Sequence, residues 1–311
     1  MSIGILKKGM YKAFGLTICS EISLPELTQL HKDEEVADIF IDIGYLSCFW
    51  DEFKIHQRNF IVKESLVIFQ IPNTATFCIK DGKNIIVSPM DGSDYDKIRL
   101  YILGTCMGVL LMQRKIFPLH GSAIAINGKA YAFIGNSGAG KSTLASAFIN
   151  KGFQLLSDDV VAVKFLNEDG PFIMPSYPQQ KLWKDSLEKF GMQTSDYRPL
   201  FERETKYSIP VNSNFSHEPS PLAGVFELVK TENEHIQICK IEKLERFRTL
   251  LYQTYRHSLV NKMGLTEWHF TDSSKIINKV QMYQLKRPTS EFTAQNLVSM
   301  ILSFIKEREI I

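Results

Sequence analysis

Apolar and polar positions alternate in short runs through the first part of the chain, with the two-residue period of half-buried strands. This pattern predicts strands at Lys12–Cys19, Ala37–Ile43, Asn59–Gln70, Thr76–Ile79 and Asn84–Val87, punctuated by the turn-formers Asp81-Gly82 and Asp91-Gly92. From about Asp94 to Arg114 the pattern becomes helical, and the run Leu100–Met112 is apolar on every side. It reads as a buried helix, too short for a bilayer, which needs about 20 residues. Gly104 and Gly108 share one face of it, where another backbone can come close. Beyond Pro118, strands are expected at Ser122–Ile126 and Lys129–Ile134, joined by Asn127-Gly128, a pair that tolerates the positive φ of a tight hairpin turn. A helix over Ser142–Asn150 and a parallel neighbouring strand at Gln154–Ser157 follow, the strand ending at Asp158-Asp159. Further on the pattern predicts a helix at Lys181–Phe190, with Trp183 packing in it, and strands at Gly224–Lys230 and Ile236–Ile241. A helix from Leu244 to about Tyr255 comes next. A terminal helix from about Ser290 to Lys306 begins after Pro288-Thr289 and carries Leu297, Ile301 and Ile305 on one face.

The change of pattern divides the chain into a β-rich N-terminal domain (1–93), a connecting helix (94–117) and an α/β domain (118–311). Composition adds little to this but excludes some classes. With 44% hydrophobic and 23% charged residues among 311, the chain folds rather than serving as a disordered scaffold. A net charge of +2 and the lack of a long basic run give no ground for a nucleic-acid or membrane partner. Cys19, Cys48, Cys78, Cys106 and Cys239 are scattered singly, as expected of reduced thiols in a cytoplasmic protein, and the first residues show no signal-peptide pattern.

The chemistry concentrates in one run, "GNSGAGKST". Gly135, Asn136, Ser137, Gly138, Ala139, Gly140, Lys141 and Ser142 fit GxxxxGK[ST], placed between a strand pattern and a helix pattern as a phosphate loop requires. The glycines let successive backbone N–H groups face an anion at a helix N-terminus. Lys141 would meet the outer phosphates, and the Ser142 hydroxyl would ligate Mg²⁺. Asp158 and Asp159 arrive one strand later, 17 positions after Lys141 for the first of them. Neighbouring strand residues face opposite sides, so the two carboxylates take different roles unless the chain kinks. One can help hold Mg²⁺ and the other can accept the proton of an attacking hydroxyl; the residues alone leave open which does which.

The run "LHGSAIAINGKAYAFIGNSGAGKSTLASAFINKGFQLLSDDVV" resembles the catalytic domain of HPr kinase/phosphorylase, with a histidine before a hairpin, the phosphate loop, a short helix and a "DD" strand. The architecture is also similar to that of phosphoenolpyruvate carboxykinase. The segments "YKAFGLTICSEISLPEL", "PSYPQQKLWKDSLEKFG", "ETKYSIPV" and "PLAGVFEL" resemble the HPr kinase-like proteins of bacterial biosynthetic clusters, some of which phosphorylate the C-terminal serine of a lasso-peptide precursor. The separate segment that supports phosphorolysis in the HPr enzymes is not found. The resemblance implies an α/β P-loop kinase core preceded by a small β-rich domain, with ATP and Mg²⁺ as cofactors. It implies nucleotide contacts from Gly135 to Thr143, Asp158 as base, Asp159 as the metal-side acid, and His120 near the active site. Self-association follows from the rings that HPr kinases form.

Lys206 and Arg256 fall in segments resembling family motifs and are candidates for pairing with phosphate or a peptide carboxylate. The function expected is transfer of the γ-phosphate to a serine of a peptide partner. The alternatives are a kinase of an HPr-like carrier or small metabolite, and a nucleotide-dependent switch in which the β-rich part binds a partner.

Overall fold

The computed structural model describes residues 8–30, 36–46, 60–63, 65–166, 170–200 and 203–309. The chain divides into two compact units, Met1–Pro118 with Arg256–His269, and Leu119–Tyr255 with Phe270–Ile311. Among the described residues no helix is long and apolar enough to cross a membrane.

The first unit carries one eight-stranded sheet. Its strands are β1 (Gly9–Ala13), β2 (Leu16–Ser20), β3 (Thr28–Gln29), β4 (Ile39–Ile43), β5 (Ile61–Lys63), β6 (Leu66–Ile71), β7 (Ala75–Lys80) and β8 (Asn84–Pro89), in the order β3-β1-β2-β4-β8-β7-β6-β5. The single strand expected over Lys12–Cys19 is instead a hairpin, because Phe14 and Gly15 both take positive φ and reverse the chain between Ala13 and Leu16. The long strand expected over Asn59–Gln70 is likewise two antiparallel strands, β5 and β6; its first residue lies outside the described residues, as does Cys48. Cys19, Cys78, Cys106 and Cys239 are free thiols. The apolar run forms a buried helix in three pieces, Tyr95–Tyr101, a π-helical Ile102–Cys106 that includes Gly104, and Met107–Gln113. Asp94 caps its start, its carboxylate accepting the Asp96 N–H at 2.7 Å.

The second unit is built on β9 (Phe117–Ile126), β10 (Lys129–Ile134), β11 (Gln154–Phe165), β12 (Pro171–Met174), β13 (Gln179–Trp183), β14 (Arg198–Leu200), β15 (Arg203–Pro210), β16 (Ser220–Thr231), β17 (Gln237–Lys240) and β18 (Gln281–Pro288). Seven of them form one sheet, in the order β10-β9-β11-β12-β16-β18-β17, and a parallel β10–β16 pairing closes five of these into a ring. Strands β13, β15 and β14 form a separate small sheet. Asn127 and Gly128, at φ 50° and 73°, make the β9–β10 turn that their sequence predicts.

Three expectations need correction here. The return strand after the loop helix does run in the same sense as β10, being antiparallel to β12, which is antiparallel to β16, but β9 lies between it and β10. It also continues through the acidic pair to Phe165 instead of ending at Ser157. Residues Lys181–Trp183 belong to strand β13, with the helix confined to Lys184–Lys189, and Trp183 is 37% exposed on that strand instead of packed in a helix. The terminal helix starts at Ala294 instead of Ser290, its first turn closing where the Leu297 N–H donates to the Thr293 carbonyl at 2.9 Å. The helix Thr266–Lys279 and β18 itself were not anticipated.

The helix Lys141–Ile149 and the terminal helix share one apolar cluster with the sheet. In it Phe133 of β10 stacks on Phe148 at 5.3 Å, and Phe226 of β16 on Tyr283 of β18 at the same separation. Each fully buried ring of this kind contributes about 2–3 kcal/mol of transfer free energy. That packing anchors the glycine-rich loop 135–140 between strand and helix.

Candidate active site

The loop Gly135–Gly140 turns the chain from β10 into the helix Lys141–Ile149. Gly135, Gly138 and Gly140 adopt φ of 141°, 78° and 103°, a path that L side chains rarely follow. Gly135 is further constrained, because a Cβ there would lie 2.6 Å from the Leu228 carbonyl. Asn136, Ser137 and Gly138 are exposed at the tip, and the Ala139 N–H closes the turn on the Asn136 carbonyl at 3.0 Å.

Lys141 is buried, 8% exposed, and its ammonium donates to the carbonyls of Gly135 at 2.7 Å and Asn136 at 3.1 Å. Among the described residues no carboxylate lies within salt-bridge distance of it, and burial pulls its pKa down to about 8. Asp158 and Asp159 act on its charge from beyond salt-bridge distance, and a desolvated cation curled under an exposed loop of glycines fits a phosphate ligand. Thr143 is tied to Ser186 at 2.8 Å, and Ser146 to Gln180 at 2.7 Å, so β13 and the helix Lys184–Lys189 brace the loop helix.

The acidic pair is organised from β9 and β13. His120 and Ser122 sit two apart on β9 and so face the same side. Ser122 donates to Asp158 Oδ1 at 2.6 Å, and His120 Nδ1 lies 3.1 Å from the Asp159 carbonyl and 3.5 Å from its Oδ1. Gly121 between them permits the hairpin, since a Cβ there would overlap the Phe133 carbonyl. The motif "HGS" thus encodes two contacts and the close approach that allows them.

Asp159 has φ 76° in the middle of β11, which swings its side chain out of strand alternation. The Ser157 hydroxyl spans the kink to the Val160 carbonyl. As a result both carboxylates reach Lys181, by different groups. Its backbone N–H donates to Asp158 Oδ2 at 2.9 Å, and its ammonium pairs with Asp159 Oδ2 at 2.7 Å. Asp158 is 3% exposed, and these partners, a hydroxyl and an amide, are neutral. Asp159, despite its burial, is held well below the usual carboxylate range by Lys181 and, less, by His120; Lys181 is raised in turn. Burial, then the Lys141 charge, lowers His120.

Lys206 lies opposite Trp183 in the β13–β15 register, its ammonium 5.4 Å from the indole ring. Its charge acts on both Lys141 and Asp159. Arg256 belongs to the first unit, where it donates to Thr105 at 2.8 Å and lies over the Phe60 ring. Lys181 and Ser122 were missed as site residues. For Ser122 the signal was its two-residue spacing from His120; for Lys181 there was none while its segment read as a helix.

Comparison with known proteins adds to this geometry. In sequence the chain resembles HPr kinase/phosphorylases. It is 36% identical over 69 residues to the HPr kinase/phosphorylase of Mycoplasmopsis pulmonis, covering 22% of each chain. It is 28% identical over 139 residues to that of Lactobacillus gasseri, covering 42% of each. The matches therefore span well under half the length of these curated relatives. The solved Hpr(Ser) kinase/phosphatase from Coxiella burnetii aligns with 62% of this chain and 96% of its own, at 15% identity and a TM-score of 0.33. No family model matches.

Among the described residues no three His, Cys, Asp or Glu side chains group as a metal site. A Mg²⁺ ion would need phosphate oxygens to complete its shell.

Proposed function

We propose that this chain is an ATP- and Mg²⁺-dependent kinase that moves the γ-phosphate to a serine hydroxyl of a peptide. The observation that carries the proposal is the split acid pair, in which Asp159 is paired with the Lys181 ammonium while Asp158 accepts its hydrogen bonds from a hydroxyl and an amide and feels the Lys141 charge only from beyond salt-bridge distance. A carboxylate paired with an ammonium resists protonation, whereas one held by a hydroxyl and an amide can take a proton on a remaining lone pair. Asp158 is accordingly the base. The serine oxygen forms the new bond to the γ-phosphorus, the bond to the β-phosphate oxygen breaks, and the hydroxyl proton passes to Asp158. Lys141 carries positive charge against the phosphates, and His120 orients the Asp159 backbone. Ser142 and Asp159 would hold Mg²⁺ together with the nucleotide, and the ion would supply charge neutralisation on the phosphates.

The acceptor we propose first is the C-terminal serine of a lasso-peptide precursor, supported by the motif resemblances at Pro175–Gly191 and in "ETKYSIPV". The partial identity to HPr kinase/phosphorylases favours an HPr-like carrier as the second. The test is mass spectrometry of each acceptor after incubation with the protein, ATP and Mg²⁺. A phosphate-sized gain on a serine, absent with Asp158→Asn, supports the reading, and ATP binding without transfer to any acceptor would replace it with a nucleotide-dependent switch.

A further inference from the structure

Strands β16 and β18 run parallel to β10 and extend past it, so their carboxyl ends lie alongside the phosphate loop. Ligands of open α/β sheets bind at such strand ends. Two cations stand there, Lys230 and Arg287, opposite one another in the β16–β18 register. The Arg287 Nε donates to the Ala139 carbonyl at 2.8 Å and one terminal nitrogen to the Pro288 carbonyl at 3.3 Å. A Cβ on Gly140 would lie 3.3 Å from its other terminal nitrogen, and a Cβ on Gly138 would lie 3.9 Å from the Lys230 ammonium. Both cations thus close on the loop exactly where it is bare of side chains. Among the described residues neither makes an ion pair, and the half-buried Arg287 is lowered by desolvation alone.

Topology says which part of a ligand they would meet. From β10 the acid pair lies to one side, beyond β9 on β11, whereas Lys230 and Arg287 lie to the other, on β16 and β18. The transfer chemistry occupies the first side. We propose that Arg287, with Lys230, binds the phosphates of the nucleotide that are not transferred, so that the site grips product and substrate nucleotides alike. This rests on the kinase reading above. An Arg can grip two phosphate oxygens with its fork, and one such charge-assisted contact is worth about 10- to 100-fold in affinity.

The experiment measures the affinity of fluorescent ATP and ADP analogues for the full chain and for Arg287→Gln, Arg287→Lys and Lys230→Ala. Arg287→Gln keeps a donor for the Ala139 carbonyl but no charge, so it separates bracing of the loop from binding of phosphate. The expected result is a loss of about tenfold or more for ATP and ADP together in Arg287→Gln, partial recovery in Arg287→Lys, and a smaller loss in Lys230→Ala. Unchanged affinities in Arg287→Gln, or a loss confined to ATP, would overturn the proposal while leaving the kinase reading intact. Failure of the unmodified chain to bind either nucleotide would remove both.

Discussion

Both units place non-glycine residues in the left-handed region at strand reversals, but the second also places one inside a strand. In the first unit Phe14, Asn73 and Asp81 have φ of 56°, 54° and 57° at reversals between paired strands, where such backbone is ordinary. In the second, Asp159 has φ 76° inside a strand of 12 residues, flanked by hydrogen-bonded β-structure. Ion pairs do not separate the units in this way, since each holds an exposed pair and a largely buried one: Lys8 with Asp42 at 42% and 36% exposed and Arg99 with Glu26 at 11% and 16% in the first, Lys184 with Glu188 at 49% and 58% and Lys181 with Asp159 at 7% and 21% in the second. Turn conformations serve connectivity, and surface pairs add little to stability. A kink within a strand, closed by a buried ion pair, serves the geometry of particular side chains. Here it turns two adjacent carboxylates, which alternation would set on opposite faces, toward one lysine.

That contrast can be broken by substitution. The largest effect is expected from Asp158→Asn, which removes the proposed base and should lower phosphate transfer by about 10²- to 10⁴-fold with the fold intact, read as initial rate under saturating ATP. Lys181→Met leaves Asp159 partly buried without its counter-charge and should cost about 3 kcal/mol in denaturant unfolding at neutral pH. Because the folded pKa of Asp159 is depressed, the stability it gains from Lys181 is present above the unfolded carboxylate pKa of about 4 and lost as pH falls below it. Lys181→Met should therefore converge with the parent protein in strong acid.

Lys141 gives a subtler effect with the opposite sign. Its folded pKa of about 8 lies below the ordinary 10.5, so the cost of burying its charge is full below pH 8 and relieved as pH rises toward 10.5. Phosphate binding favours the charged amine, so nucleotide binding near pH 9 should take up a fraction of a proton, seen by calorimetry in buffers of different ionisation enthalpy. Lys141→Met should abolish that uptake. The smallest effect is expected in the first unit, where Asn73→Gly relaxes a turn and should shift stability by less than about 1 kcal/mol without altering transfer.

Much of this arrangement was legible in the residues. Asn127-Gly128 signalled its hairpin because both residues accept positive φ, and the glycine spacing signalled the phosphate loop between strand and helix. The mixed α/β fold followed from the change of period after Pro118. What escaped were features set by tertiary context. Phe14 gave no hint of a turn, since a bulky residue takes φ 56° only where the flanking hairpin compensates. The kink at Asp159 depends on Ser157, Lys181 and a neighbouring strand that is not next to it in sequence. Lys181 itself was hidden because "QKLWKDSLEKF" carries a helical period across a strand-to-helix junction. Arg287 sits in an unanticipated strand, so its approach to the loop could not be read from spacing.

The central claim is that the two acids have separate jobs, and side-by-side nucleotide titrations of Asp158→Asn and Asp159→Asn, with and without Mg²⁺, test it most directly. Asn tolerates the left-handed backbone at 159, and its side-chain oxygen can still accept from the Lys181 ammonium, so the kink keeps a hydrogen bond although the ion pair is lost. The account predicts that Asp158→Asn binds Mg²⁺-nucleotide as the parent protein does, while Asp159→Asn loses the Mg²⁺-dependent part of the affinity. Identical titrations for the two variants would contradict the division of roles.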